Sequence, residues 1–200
     1  MAREIEVAYY NIDKNAIISQ LQTLEAKSIG KYHMRRINFQ LDRKGSVGDA
    51  DYYTSWVRIR TDGNKTVLTL KEQYGNKITS RKEYEVSVSD FDNTVRIIYK
   101  LLKDPPYDYF ESDREMYELE GNKIVIDKFP ELPYLLEIEA DSEDMINKIL
   151  KKIKIIGEPD VNKSVPTEEY YKMHNVDYSI VQKGYVNQIA QLFSGGESEK

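Results

Sequence analysis

Glu137-Ile138-Glu139 alternates carboxylate, apolar and carboxylate side chains, and Glu4-Ile5-Glu6 does the same at the other end of the chain. Successive side chains of a β-strand point to opposite faces, so each motif sets two carboxylates side by side and turns an isoleucine the other way. Working outward, the same alternation runs through Arg36-Ile37-Asn38-Phe39-Gln40-Leu41-Asp42, Trp56-Val57-Arg58-Ile59-Arg60 and Leu68-Thr69-Leu70-Lys71. It continues in Arg81-Lys82-Glu83-Tyr84-Glu85-Val86, less cleanly in Ser112-Asp113-Arg114, and again in Ile124-Val125-Ile126-Asp127. One face then carries Glu4, Glu6, Asp42, Glu83, Glu85, Asp127, Glu137 and Glu139 against Arg36, Arg58, Arg60, Lys71, Arg81 and Arg114.

Any one of these segments reads as an ordinary half-buried antiparallel strand, apolar inside and polar outside. Together they do not, because a plain solvent face scatters Thr, Ser, Gln and Lys, whereas Arg and carboxylate dominate here and Lys71 is the single lysine of the set. If the sheet curls into a barrel with helices packed outside, the apolar face meets the helices and the charged face becomes a lumen. The expected fold is α+β, an antiparallel eight-stranded β-barrel or tunnel with external helices. A charged lumen suits a multiply charged ligand.

The 200 residues are enough for one domain with a proper core. The expected division is a tunnel domain over 1–175 and a C-terminal extension over 176–200 that ends in a frayed tail from Ser194 onward. A net charge of -5 argues against nonspecific nucleic-acid or membrane-surface binding, which gains from releasing counterions to a basic surface. No apolar stretch is long enough to span a bilayer, and no signal peptide is expected after Met1. The absence of cysteine fits a reducing cytoplasm and excludes disulfides, thiol nucleophiles and zinc–thiolate sites.

Asn11 or Asp13 can cap a first helix whose stripe is Ile17, Ile18, Leu21 and Leu24, with Gly30 expected as its left-handed terminus. Asp62-Gly63, Gly75-Asn76 and Glu120-Gly121-Asn122 signal hairpin turns. Asp90 caps a second helix that Pro105-Pro106 terminates, and a third runs from about Ser142 to Ile155. A short helix is expected over Pro166 to Met173, followed by a Tyr-rich stretch to Phe193. Helices are too few for parallel crossovers, which favours an antiparallel sheet. His33 and His174, isolated in sequence, are read as surface or structural residues, and Tyr52, Tyr53 and Trp56 as able to reach a tunnel mouth.

The order of these motifs resembles that of the CYTH family, the triphosphate tunnel metalloenzymes, over Glu4 to about Tyr171. The family's opening Glu-x-Glu-x-Lys matches Glu4, Glu6 and Ala8, and its Arg-x-Arg strand matches Arg58 and Arg60. Its Thr-Leu-Lys strand matches Thr69-Leu70-Lys71, and its Arg-x-Glu-x-Glu strand matches Arg81, Glu83 and Glu85. Arg114-Glu115-Met116-Tyr117, Asp127 and Leu132-Pro133-Tyr134-Leu135-Leu136-Glu137-Ile138-Glu139 are similar to the family's later elements. Two positions depart: the family lysine falls on Ala8, and the basic residue two before Arg114 falls on Ser112.

The resemblance implies that Glu4, Glu6, Glu137, Glu139 and Asp127 hold Mg²⁺ or Mn²⁺, hard cations that prefer carboxylate oxygens. It implies that Arg36, Arg58, Arg60, Lys71, Arg81 and Arg114 grip a triphosphate, with Glu83 and Glu85 as supporting lumen carboxylates and Glu4, Glu6, Arg58 and Lys71 as the catalytic set. The eight inward carboxylates outnumber the six cations, so metal would be needed to turn the lumen attractive to a polyanion. The implied activity is metal-dependent hydrolysis of a nucleoside, organic or inorganic triphosphate, weakened by Ala8 and Ser112. The alternatives are a class IV-type adenylyl cyclase, in which the ribose 3′-hydroxyl attacks the α-phosphorus and pyrophosphate leaves, and a noncatalytic protein that binds a triphosphate ligand. The implied partner is a triphosphate-bearing small molecule, with room left for a homodimer.

Overall fold

The structure, a computed structural model, describes residues 5–45, 49, 51–75, 81–159 and 167–194. The chain runs β1 (Ile5–Tyr10), α1 (Lys14–Thr23), β2 (Lys27–Lys44), β3 (Tyr53–Thr61), β4 (Thr66–Tyr74), β5 (Arg81–Val88) and α2 (Phe91–Leu102). It continues through β6 (Tyr107–Leu119), β7 (Asn122–Lys128), β8 (Tyr134–Ala140), α3 (Glu143–Lys152), β9 (Glu158–Pro159), α4 (Thr167–Met173), α5 (Tyr178–Gly184) and α6 (Val186–Ser194). Among the described residues no helix is long and apolar enough to cross a membrane.

Two compact units divide the chain, Met1–His33 with Ser112–Ser164 and Met34–Glu111 with Val165–Lys200. The boundary expected near residue 175 falls inside the second unit. Strands β2 and β6 contribute residues to both.

The strands are ordered β5-β4-β3-β2-β6-β7-β8-β1-β9, and β5-β4, β4-β3, β3-β2, β6-β7, β7-β8, β8-β1 and β1-β9 pair antiparallel. The expected closed, eight-stranded barrel is therefore corrected to an open sheet of nine strands with β5 and β9 at its ends. Alternation specifies which face of a strand is apolar; it does not specify whether the two outermost strands meet. The added strand β9 is two residues long, and Pro159 has no N–H with which to extend the ladder.

In the first unit, α1 and α3 cover the apolar face of β6, β7, β8 and β1. Ile17 and Leu21 of α1 and Ile146 and Ile149 of α3 share a buried cluster with Ile124, Ile126, Leu136 and Ile138. Ile124, Leu136 and Ile138 are fully buried, and each such side chain contributes about 1.5–3 kcal/mol. Asp13 caps α1 by accepting from Ala16 N at 3.0 Å, and Ser142 caps α3 by accepting from Met145 N at 3.4 Å. Acidic Glu143 and Asp144 in the first turn of α3, and Lys151 and Lys152 in its last, complement the helix dipole. The left-handed residue that ends α1 is Glu25, at φ 57°, and not Gly30. Ala26 N donates to Leu21 O and Glu25 N to Gln22 O, the two bonds of a Schellman turn. Gly30 instead lies within β2, where a Cβ would come within 2.8 Å of the Tyr32 ring. Between β6 and β7, Glu120 and Gly121 both take positive φ (53° and 77°), the geometry of a tight I′ hairpin.

In the second unit the apolar residues Ile37, Phe39, Ile59 and Tyr109 pack with Phe91 and Val95 of α2 and with Ile189 and Leu192 of α6. Phe193 stacks on Tyr99 with ring centroids 3.8 Å apart. The stretch expected as a C-terminal extension is thus helical through Ser194 and joins this core; residues 195–200 lie outside the described residues. Asp90 caps α2 by accepting from Asn93 N at 2.6 Å. The register between β2 and β3 shifts between Gln40 and Asp42, leaving Leu41 as the extra residue of a bulge. Gln40 Nε2 donates to Asp42 O and Ser55 O, both at 2.8 Å, and so spans the bulge. The bulge takes Asp42 out of the alternation that Arg36, Asn38 and Gln40 follow.

Candidate active site

In the first unit, β1 and β8 pair so that Glu6 stands directly opposite Glu139 and Ala8 opposite Glu137. The period-two alternation of Glu137-Ile138-Glu139 sends Ile138 into the helix-covered core and leaves both glutamates on the other face. One carboxylate oxygen each from Glu6, Glu137 and Glu139 lie within 4.8 Å of one another. Glu137 is buried, Glu139 half-buried and Glu6 exposed. Three hard oxygen donors with one side open to solvent fit a Mg²⁺ or Mn²⁺ ion, which takes a few carboxylates and keeps part of its water shell. Glu4, expected as a fourth ligand, lies outside the described residues.

Asp127, expected beside the metal, has another engagement. It is fully buried, and its two oxygens accept from Arg114 Nε at 2.7 Å and Arg114 Nη2 at 2.5 Å. The register of β6 and β7 sets these two residues face to face. Arg114 Nη2 also lies 3.8 Å from Glu137 Oε2. Burial acts to lower the pKa of Arg114. The Asp127 carboxylate, helped by Glu137 and Glu139, outweighs it and holds the pKa above the ordinary value. Arg114 is thus built into the acidic cluster as a fixed counter-charge.

Sequence reading missed Lys123. Its Nζ lies 2.6 Å from Glu139 Oε2, and the two residues are direct partners across β7 and β8. The signal was available, since Lys123 shares parity with Val125 and Asp127 once β7 is started at Asn122.

In the second unit, cross-strand rows can be read straight from the register. Arg36 of β2 stands opposite Arg60 of β3; Asn38 opposite Arg58, then Thr69 and Glu85; Gln40 opposite Trp56, then Lys71 and Glu83. The ladder therefore brings Arg36, Arg58, Arg60 and Lys71 onto one sheet face. Like charges directly opposite, as in Arg36 and Arg60, normally cost stability, and Arg36 stacks over the Phe110 ring at 3.9 Å. Lys71 is buried and its Nζ donates to Glu83 Oε1 at 2.6 Å, while Thr69 Oγ1 donates to Glu85 Oε2 at 3.3 Å. Arg81 holds the register position opposite Gln73 at the start of β5.

Glu115 lies off this chemistry, with the parity of Tyr117 and the helix-covered face. It is buried and accepts from Lys14 Nζ at 2.5 Å, Tyr117 Oη at 3.1 Å and Lys31 Nζ at 3.3 Å. Burial acts to raise its pKa, but these donors win and hold it below the ordinary carboxylate value. His33 pairs with Asp113 at 2.8 Å, both side chains exposed, and His174 meets the Tyr170 ring edge-on. Neither lies in the carboxylate cluster or in the cationic rows.

Among solved structures, a Pyrococcus horikoshii protein is 19% identical with a TM-score of 0.58, covering 76% of this chain and 90% of that one. A conserved hypothetical protein from Pyrococcus furiosus is 20% identical with a TM-score of 0.59, again over 76% of this chain and 90% of its own. A candidate adenylate cyclase from Vibrio parahaemolyticus is 10% identical with a TM-score of 0.51, over 75% of this chain and 83% of its own. At these identities the likeness is one of fold. No curated protein matches the sequence. The CYTH domain family matches residues 3–166, a span that takes in both glutamate pairs and every strand of the cationic face. That match covers most of the chain, and the protein belongs to the CYTH domain family.

Proposed function

We propose that this protein is a metal-dependent hydrolase of a nucleoside, organic or inorganic triphosphate. The observation that carries the reading is the convergence of Glu6, Glu137 and Glu139 in a chain of the CYTH domain family, whose resemblance implies a metal-dependent triphosphate site. A divalent ion, when bound, draws charge from phosphoryl oxygens and favours attack at phosphorus. Glu6, Glu137 and Glu139 are the residues that would hold it, with Glu4 of the same sequence motif as a further ligand. Arg36, Arg58 and Arg60 would take phosphate oxygens, since guanidinium groups match them two at a time. Lys71, held by Glu83, would add a point charge, and Arg81 completes the cationic set. Arg114 orients Asp127 and steadies Glu137. No nucleophilic side chain is required, because positioning and charge neutralisation carry most of phosphoryl transfer.

The test is product analysis from ATP and from tripolyphosphate with Mg²⁺, with Mn²⁺ and with full chelation. Orthophosphate should appear only with a divalent ion; release that survives complete chelation would sink the reading. Cyclic AMP and pyrophosphate in equal amounts would instead identify a cyclase. Ala8, which brings no charge opposite Glu137, supports a second reading as a noncatalytic binder, revealed by tight binding without products.

A further inference from the structure

A lysine stands at the carboxylate cluster, half-exposed and paired to one of its glutamates. Glu139 stands in a cross-strand row between Glu6 on β1 and Lys123 on β7, and the Lys123 ammonium lies 2.6 Å from Glu139 Oε2. The next row holds Ala8, Glu137 and Val125, so its only charge is the carboxylate. Arg114 and Lys123 both stand beside these glutamates, and they differ in kind. Arg114 has its side chain 15% exposed and is clamped by two bonds to Asp127. Lys123 has its side chain 40% exposed and makes a single contact with a carboxylate of the cluster. A flexible ammonium on a four-carbon stem can leave that contact, whereas a clamped guanidinium cannot.

We propose that Lys123 sets the charge of the cluster and is a positioning residue for its reaction. In the ion-free protein it neutralises and orients Glu139. A divalent ion must share that carboxylate with it or displace it, and a displaced Lys123 becomes an ammonium at the edge of the site, free to meet a phosphate oxygen. One side chain thereby weakens binding of the ion alone and strengthens binding of the ion together with a polyanion. The inference rests on the reading of the cluster as a metal-dependent triphosphate site.

The experiment compares wild type, Lys123→Met and Lys123→Arg, each confirmed as folded by circular dichroism. Calorimetry first measures Mn²⁺ binding without substrate, then tripolyphosphate binding at saturating Mn²⁺. Lys123→Met should bind Mn²⁺ roughly three- to tenfold more tightly and tripolyphosphate weaker by a similar factor, the size expected for one partly exposed unit charge. Lys123→Arg keeps the charge and should stay within about twofold of wild type in both measurements. If wild type binds both probes and Lys123→Met leaves the Mn²⁺ affinity unchanged or lowers it, the role of Lys123 is overturned and the functional reading stands. An unchanged tripolyphosphate affinity in that variant overturns the phosphate-facing half of the role. Failure of wild type to bind either probe overturns the functional reading and this inference with it.

Discussion

Arg114 holds Asp127 in a two-pronged bond, with Nε 2.7 Å from one oxygen and Nη2 2.5 Å from the other, and the aspartate is fully buried. Breaking a buried pair from one side leaves a buried charge without its counter-charge. Arg114→Ala should therefore cost about 3–5 kcal/mol of folding stability. Asp127→Asn keeps the volume and leaves Arg114 beside Glu137, so it should cost less. Urea unfolding checks both; an Arg114→Ala protein as stable as wild type would show that the pair does not anchor this unit.

Arg58→Ala and Arg60→Ala should weaken triphosphate binding without unfolding the protein. Both arginines share the β3 face with Trp56, opposite the face on which Ile59 is buried, so truncation opens no cavity in the core. Each substitution should remove charge-assisted bonds worth about 1.5–3 kcal/mol. Calorimetry with tripolyphosphate and Mn²⁺ is the measurement, and an unchanged affinity in both variants would remove them from the site.

Ala8 pairs with Glu137 across β1 and β8. A lysine at that position would bring an ammonium to the carboxylate cluster, where negative charge gathers when a triphosphate binds. Ala8→Lys should tighten tripolyphosphate binding and raise turnover, by about tenfold to a thousandfold if the cation acts on the transition state. Turnover and affinity both unchanged in a folded variant would mean that position 8 does not face the bound phosphates.

Glu115 offers a prediction about stability and pH that is independent of the site. Its donors Lys14, Tyr117 and Lys31 hold its pKa below the ordinary value of 4.5. A carboxylate with a depressed folded pKa stabilises the fold above its unfolded pKa and loses that contribution as pH falls through the folded one. Glu115→Gln should cost about 1–3 kcal/mol at neutral pH. The gap to wild type should shrink as pH drops below about 4.5. Urea midpoints across that range test it, and a gap that stays constant would separate the effect from ionisation.

How much of this was legible in the sequence depends on the range over which each feature is decided. Strand parity is local, because alternate side chains must take opposite faces. Glu137 and Glu139, Arg58 and Arg60, and Glu83 and Glu85 could therefore be paired on their faces from residue order alone. The caps Asp13, Asp90 and Ser142, and the hairpin at Glu120-Gly121, are equally local, since each depends on a few consecutive residues. Gly30 misled because a left-handed terminus requires only a tolerated φ, which Glu25 adopts once two backbone bonds close the turn.

What tertiary structure alone decided is register and pairing between segments distant in sequence. Glu6 meets Glu139 across more than a hundred residues of intervening chain, Asp127 is taken by Arg114, and Lys123 reaches Glu139. None of these follows from alternation, because sliding one strand against its neighbour changes every partner while leaving the pattern along each strand intact. The bulge at Leu41 and the open order ending in β5 and β9 belong to the same class. Sequence by itself determined which side chains share a strand face; the tertiary structure determined which charges on those faces meet, because that choice is made by hydrogen-bond register between strands and is written in no single strand.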